Sequence, residues 1–192
     1  MCLSVQSIFY FTIKTISNLF KKYGLNAFDV FKSPISGGSL VLLFSKNKIK
    51  KTKLLQKFEF DEKKLNINLL QKWKKFGKNS VNHAIKFEKE VIKNLSKKNK
   101  IFGYGASARS STLLNFCNLN SSKIEFIIDQ NSLKHNLYTP GTNIPIYSFK
   151  KAQKKIRDKT MVLLAWNFKN EIINYMKNKK FKNKIIIPFN KK

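Results

Sequence analysis

Lys100-Ile101-Phe102 leads like a buried strand into Gly103-Tyr104-Gly105-Ala106-Ser107-Ala108, a Gly-x-Gly-x-x-Ala turn, and Ser110 to Leu114 leads out like a helix. A second apolar run, Ile124-Glu125-Phe126-Ile127-Ile128, closes on Asp129, 24 residues after Gly105. This is the layout of the first β-α-β unit of a nucleotide-binding α/β domain. The glycines let the backbone pass close to a phosphate, and the helix N-terminus offers N–H groups to its charge. A turn of this kind also occurs with no ligand, and it is the flanking strand, helix and acid that make this one informative.

Downstream, strands are expected near Lys100 to Tyr104, Lys123 to Ile128, Thr160 to Ala165 and Lys184 to Ile187. Helices are expected near Ser107 to Cys117, Ser148 to Arg157 and Phe168 to Lys179. Strand alternating with helix means a parallel sheet covered on both faces. Upstream, Phe11, Ile13, Ile16, Leu19 and Phe20 have helical spacing, and Tyr23-Gly24 supplies a stop. Leu25 to Phe31 and Ser39 to Phe44 read as an antiparallel hairpin around Ser33-Pro34 and Gly37-Gly38. Ser45 to Lys57 reads as a lysine-rich connector. Asp61 to Lys98 returns to helical spacing, with Gly77 expected to divide or bend it. The expected class is α/β: a Rossmann-like parallel sheet with helices on both faces, preceded by a helix-hairpin remnant and a long helical connector. Residues 1–57 form the first part with its linker, and 58–192 the connector and Rossmann-like domain.

The 192 residues suffice for one full domain and an appendage, and 42% apolar with 13% aromatic content is globular. A net charge of +29 invites a nucleic-acid reading. Yet of 39 basic residues only Arg109 and Arg157 are arginine, and the chain is crowded with Asn, Ile and Phe. Lysine scattered among other residues with A/T-rich codons reflects a biased genome, whereas base readout leans on arginine. Cys2 and Cys117 have neither a pairing logic nor further ligands beside them, so no disulfide framework or zinc site is expected. Cys117 reads as a buried core thiol. Ile8 to Ile16 is interrupted by Thr12, Lys14 and Thr15, so neither a signal peptide nor a membrane span is expected. A cytoplasmic location fits.

Each candidate site residue has a bland reading beside the functional one. Arg109, in the first helical turn, opposes the helix dipole and either faces an anion or is simply exposed. Among Ser107, Ser110, Ser111 and Thr112, one is expected to be the N-cap. Asp129 either accepts from ribose hydroxyls or pairs with Lys134 or caps a helix. Tyr138-Thr139-Pro140-Gly141-Thr142 is a turn expected at the carboxyl end of the sheet, where ligands bind. Trp166 is core or a wall for a flat ring, with Asn167 beside it. His83 is expected to be exposed or satisfied, and His135 could touch phosphate or ribose. No catalytic triad, paired acids or metal cluster assembles from ten acids and two histidines. On the turn alone, an NAD(P)-binding module of an oxidoreductase or sensor is the alternative function.

Several blocks together resemble a known family. The 103–108 turn, Thr112-Leu113-Leu114-Asn115, Ile128-Asp129-Gln130-Asn131 with Lys134, Tyr138 to Thr142 with Ile144-Pro145-Ile146, Leu163 to Phe168, and Ile187-Pro188 are similar to the C-terminal domain of sugar-nucleotide C-methyltransferases. Tyr10-Phe11-Thr12, Leu19-Phe20, Gly24-Leu25 and Gly37-Gly38-Ser39-Leu40 resemble the tail of that family's methyltransferase domain. The resemblance implies an enzyme with a zinc-binding segment, an S-adenosylmethionine-binding domain and a second Rossmann-like domain. Its reaction moves a methyl group to a carbon of a nucleoside-diphosphate keto-deoxysugar: a base removes the proton beside the ketone, and the enolate attacks the sulfonium methyl. Gly103, Tyr104, Gly105, Ala106, Ser107, Ala108, Arg109, Asp129, Lys134, Tyr138 and Asn167 would then hold the sugar nucleotide. Where the family carries a Tyr-His-Glu-His catalytic cluster, this sequence reads Ser4, Val5, Gln6 and Ser7. The expectation is therefore a truncated chain, inactive alone, that binds no cofactor by itself. A separate chain would supply the zinc and S-adenosylmethionine part.

Overall fold

The computed structural model describes residues 11–33, 39–95, 101–157 and 159–189. The expected hairpin turn at Ser33-Pro34 and Gly37-Gly38 and the Ser4 to Ser7 positions fall wholly or mostly outside these. The chain divides into two compact units, Met1–Asn79 and Ser80–Lys192.

In the first unit, helix α1 (Ile13–Lys21) precedes strands β1 (Asn26–Ser33) and β2 (Ser39–Ser45), which pair antiparallel. Thr12 starts α1 through a capping box with Thr15, and Gly24 at φ +73° turns the chain out of it. Ile13, Ala27, Val30 and Leu55 form a small core against one face of the hairpin. Leu55 lies on α2 (Lys53–Lys64), whose Thr52 N-cap accepts the Leu55 N–H. The stretch expected to be a connector up to Lys57 is therefore helical from Lys53. The helical region is also broken elsewhere than expected. Asn66, in the left-handed region at φ 53°, ends the turn after α2, and α3 (Leu70–Lys93) runs straight through Gly77. Asparagine tolerates that conformation, and one glycine inside a helix costs about 1 kcal/mol without breaking it.

The second unit holds a five-stranded parallel sheet in the order β5-β4-β3-β6-β7. The strands are β3 (Ile101–Tyr104), β4 (Ile124–Ile128), β5 (Ile146–Tyr147), β6 (Thr160–Leu163) and β7 (Ile185–Ile186). Their side chains alternate between two cores. Ile101, Ile124, Ile127 and Val162 pack with Ala84, Phe87 and Val91 of α3 and with Leu113 and Leu114 of α4 (Ala108–Phe116). Phe102, Phe126, Met161 and Leu163 pack with Ala152 of α5 (Phe149–Ala152) and with Ile172 and Met176 of α6 (Lys169–Asn178). Both faces are covered, as parallel strands apolar on each side require. The expected Ser148 to Arg157 helix is one turn long.

The strand order reverses between β3 and β6. In open α/β sheets the carboxyl ends of the strands at such a reversal form a crevice where ligands bind. The loop after β4 descends outside β5, with Asn136 and Ile146, Leu137 and Ile146, and Thr139 and Ile144 joined by backbone hydrogen bonds, and returns as β5. The Pro140-Gly141 turn therefore lies at the amino end of the sheet. Asn115 Nδ2, late in α4, donates to Pro140 O at 3.0 Å, and Ser121 N–H donates to Thr142 O at 3.2 Å. This corrects the expected position at the carboxyl end. The hairpin direction, which no local motif encodes, decides it.

Candidate functional site

The site is built where β3 passes into α4. Gly105 adopts φ +97°, and its N–H donates to Ile128 O at 2.8 Å. A Cβ there would overlap Ala165 Cβ and lie 3.0 Å from Ala165 N, so glycine is required by the close approach of the chain leaving β6. Gly103 is required similarly, since its Cβ would lie 2.8 Å from Leu164 Cδ1 and 2.9 Å from Ile127 Cγ1. Both glycines thus serve packing between strands.

Asp129, at the end of β4, reaches across to the turn. Its Oδ2 accepts the Ala106 N–H at 2.7 Å, and its Oδ1 accepts the Asn131 N–H at 2.9 Å. Lys134 Nζ donates to Ala106 O at 2.8 Å and lies 3.3 Å from Asp129 Oδ2. The Asp129 side chain is only 12% exposed, so this charge-assisted set strengthens in low dielectric. Of the roles open to Asp129 in the sequence, the pairing with Lys134 is present. A ribose hydroxyl reaching Oδ2 would compete with the Ala106 amide.

The N-terminus of α4 is satisfied from within the chain as well. Ser107 is the N-cap: its Oγ accepts the Ser110 N–H at 3.1 Å, and Ser110 Oγ accepts the Ser107 N–H at 3.2 Å. Ser111 and Thr112 donate their hydroxyls to Ser107 O and Ala108 O. The amides of Ala106, Ser107 and Ser110, which the sequence offers to a phosphate, therefore already have side-chain partners. A diphosphate reaching those amides would have to displace those partners.

Gly105 to Arg109, Asp129 and Lys134 thus cluster at the carboxyl edge of β3 and β4. Asn167, exposed in a short 3-10 turn after β6, stands two residues beyond the Ala165 that packs on Gly105. Tyr104 is 3% exposed with its ring in the core; its Oη accepts from Gln130 Nε2 at 3.3 Å, and burial pushes its pKa up. Tyr138 is 62% exposed and bridges Pro145 on the outer hairpin, away from this cluster. His135 Nε2 lies 2.8 Å from Asp129 O. Trp166 is half-buried against the core and meets Phe189 edge-on at 4.9 Å, and Phe189 stacks on His83. Cys117 is a buried thiol whose pKa burial, and secondarily Glu88, raise to about 11. Ser107 is the N-cap among the four hydroxyl candidates, with Ser110 completing the capping box, whereas the contact of Ala165 with Gly105 goes unread in the sequence. The Ser-x-x-Ser spacing of a capping box signals the first; nothing local signals the second.

Among the described residues no three His, Cys, Asp or Glu side chains gather as a metal site, and no helix is long and apolar enough to cross a membrane.

The family model of the C-methyltransferase C-terminal domain matches residues 34–189. The chain belongs to that family. The C-methyltransferase NovU of Streptomyces niveus is 28% identical over 169 residues, which cover 86% of this chain and 40% of that protein. The chain therefore spans well under half the length of this curated relative. The parallel sheet with helices on both faces agrees with the Rossmann-like fold that the resemblance implies.

Proposed function

We propose that this chain holds a nucleoside-diphosphate keto-deoxysugar for C-methylation. Its carboxyl edge at the β3/β6 reversal grips the diphosphate. What supports the reading is membership of the family together with Lys134, whose Nζ lies 2.8 Å from Ala106 O beside the glycine turn, and the exposed Arg109 in the first turn of α4. The S-adenosylmethionine and the base that removes the sugar proton would act from outside the described residues. The dinucleotide reading is less well supported, because Asp129 Oδ2, which ribose would need, is engaged by Ala106 and Lys134.

Calorimetry tests this reading. A thymidine or other nucleoside-diphosphate sugar should bind the chain, with S-adenosylmethionine and NADH giving no heat. Lys134→Ala should weaken the sugar nucleotide about tenfold, corresponding to about 1.4 kcal/mol. Absence of sugar-nucleotide binding at millimolar concentration, or tighter binding of NADH, would defeat it.

A further inference from the structure

The first unit carries a cavity that the carboxyl-edge site does not use. It is about 620 Å³ and lies between α1, the start of β1, α2 and the turn after α2. That volume falls within the usual range for small-molecule sites. Leu25, Ala27 and Leu69 are its apolar lining residues, and the other residues that line it are polar.

Ser17 of α1 lines it, and Ser17 Oγ is buried without a hydrogen-bond partner. A buried hydroxyl left unpaired costs about 1–3 kcal/mol, so such a group in a cavity wall points to a missing acceptor or donor. The two acids in the lining are already engaged. Glu59 pairs with Lys51 Nζ at 2.7 Å. Glu62 accepts the Ile13 and Lys14 N–H groups at 2.7 and 3.2 Å, compensating the start of α1. Lys14, Lys21 and Lys63 line the same space, and among the described residues none of them has an ion-pair partner. Asn18, Asn26 and Asn66 add amides that can donate or accept. Lys14, Lys21, Lys51 and Lys63 against Glu59 and Glu62 leave the lining with an excess of positive charge, beside a buried hydroxyl and neutral amides.

We propose that this cavity binds a small phosphate-bearing molecule. Anionic oxygens meet the three ammonium groups, one oxygen accepts from Ser17 Oγ, and the asparagines fix orientation. The site is independent of the reading of the carboxyl edge.

The test titrates the full chain with inorganic pyrophosphate at constant ionic strength, following backbone amides by NMR. Pyrophosphate should shift amides of Ser17, Asn18, Asn26 and Asn66. The double variant Lys21→Ala/Lys63→Ala should weaken binding at least tenfold. Lys46→Ala/Lys48→Ala, which removes two exposed lysines outside the cavity, should change it less than twofold. Ser17→Ala should weaken it severalfold, and Lys134→Ala should leave it unchanged. Urea unfolding of each variant confirms that it is folded. Equal losses in the two lysine doubles would mean diffuse attraction and overturn the proposal. So would shifts confined to Gly105–Lys134, or a Ser17→Ala chain that binds as the parent does.

Discussion

Replacing Gly105 by alanine tests whether the turn is shaped by internal packing. The new methyl would meet Ala165 Cβ, with Ala165 N at 3.0 Å and Cα at 3.2 Å. These atoms cannot retreat easily, because Leu164 and Ala165 both donate their N–H groups to Tyr104 O, at 2.9 and 3.0 Å. The backbone must also keep φ near +97°, which costs an L-residue about 1–2 kcal/mol. Forcing a methyl into a filled core costs about 1–3 kcal/mol more. The expected loss is about 3 kcal/mol, a large part of the roughly 5–15 kcal/mol of a domain. Urea unfolding followed by circular dichroism should show the midpoint falling by about 1–2 M for a slope of about 2 kcal/mol/M. Gly77→Ala is the matched control: nothing lies within 4 Å of its added methyl and it sits inside α3, so it should gain about 0.5–1 kcal/mol. A Gly105→Ala chain within 1 kcal/mol of the parent would show that Ala165 does not constrain the turn.

Ser107→Ala removes the N-cap of α4 and should cost about 1 kcal/mol by the same assay. Asp129→Ala leaves the Ala106 and Asn131 amides without their acceptor and Lys134 without its ion pair, and should cost about 2 kcal/mol; Asp129→Asn, which keeps an oxygen, should cost less. The Cys117 thiol, raised from 9.0 to about 11, stays protonated in the fold while the unfolded chain ionises. Its contribution to stability is therefore whole below about pH 9 and declines as pH rises toward 11, by linkage. Urea midpoints at pH 8 and 10 should show that decline in a Cys2→Ser background, and Cys117→Ala should reduce it.

The β-α-β unit was legible because its signals are local: an apolar strand, two glycines, a serine cap and an acid at the next strand's end. The covering of both faces followed from strands apolar on each side. The edge strand Ile146–Tyr147 was not legible, being two residues long and following Pro145. Helix α2 was hidden because lysines crowd its sequence and only Leu55 is fully buried. Gly77 drew the expected break away from Asn66, since a propensity penalty of about 1 kcal/mol is weaker than a continuous helical ladder. In the site, residue types were readable but their partners were not. Asp129 lies 23 residues from the Ala106 amide it accepts, and Ala165 farther still, so only the folded sheet brings them to Gly105.

Amide NMR of the labelled chain titrated with a thymidine diphosphate sugar addresses the proposed activity at residue level. Shifts should gather at Gly105 to Arg109, Asp129 to Lys134 and Ala165 to Asn167, saturate together, and require about tenfold more ligand in Lys134→Ala. Shifts spread over surface lysines, or none at this sheet edge, would contradict the assignment of the sugar nucleotide to the β3/β6 crevice.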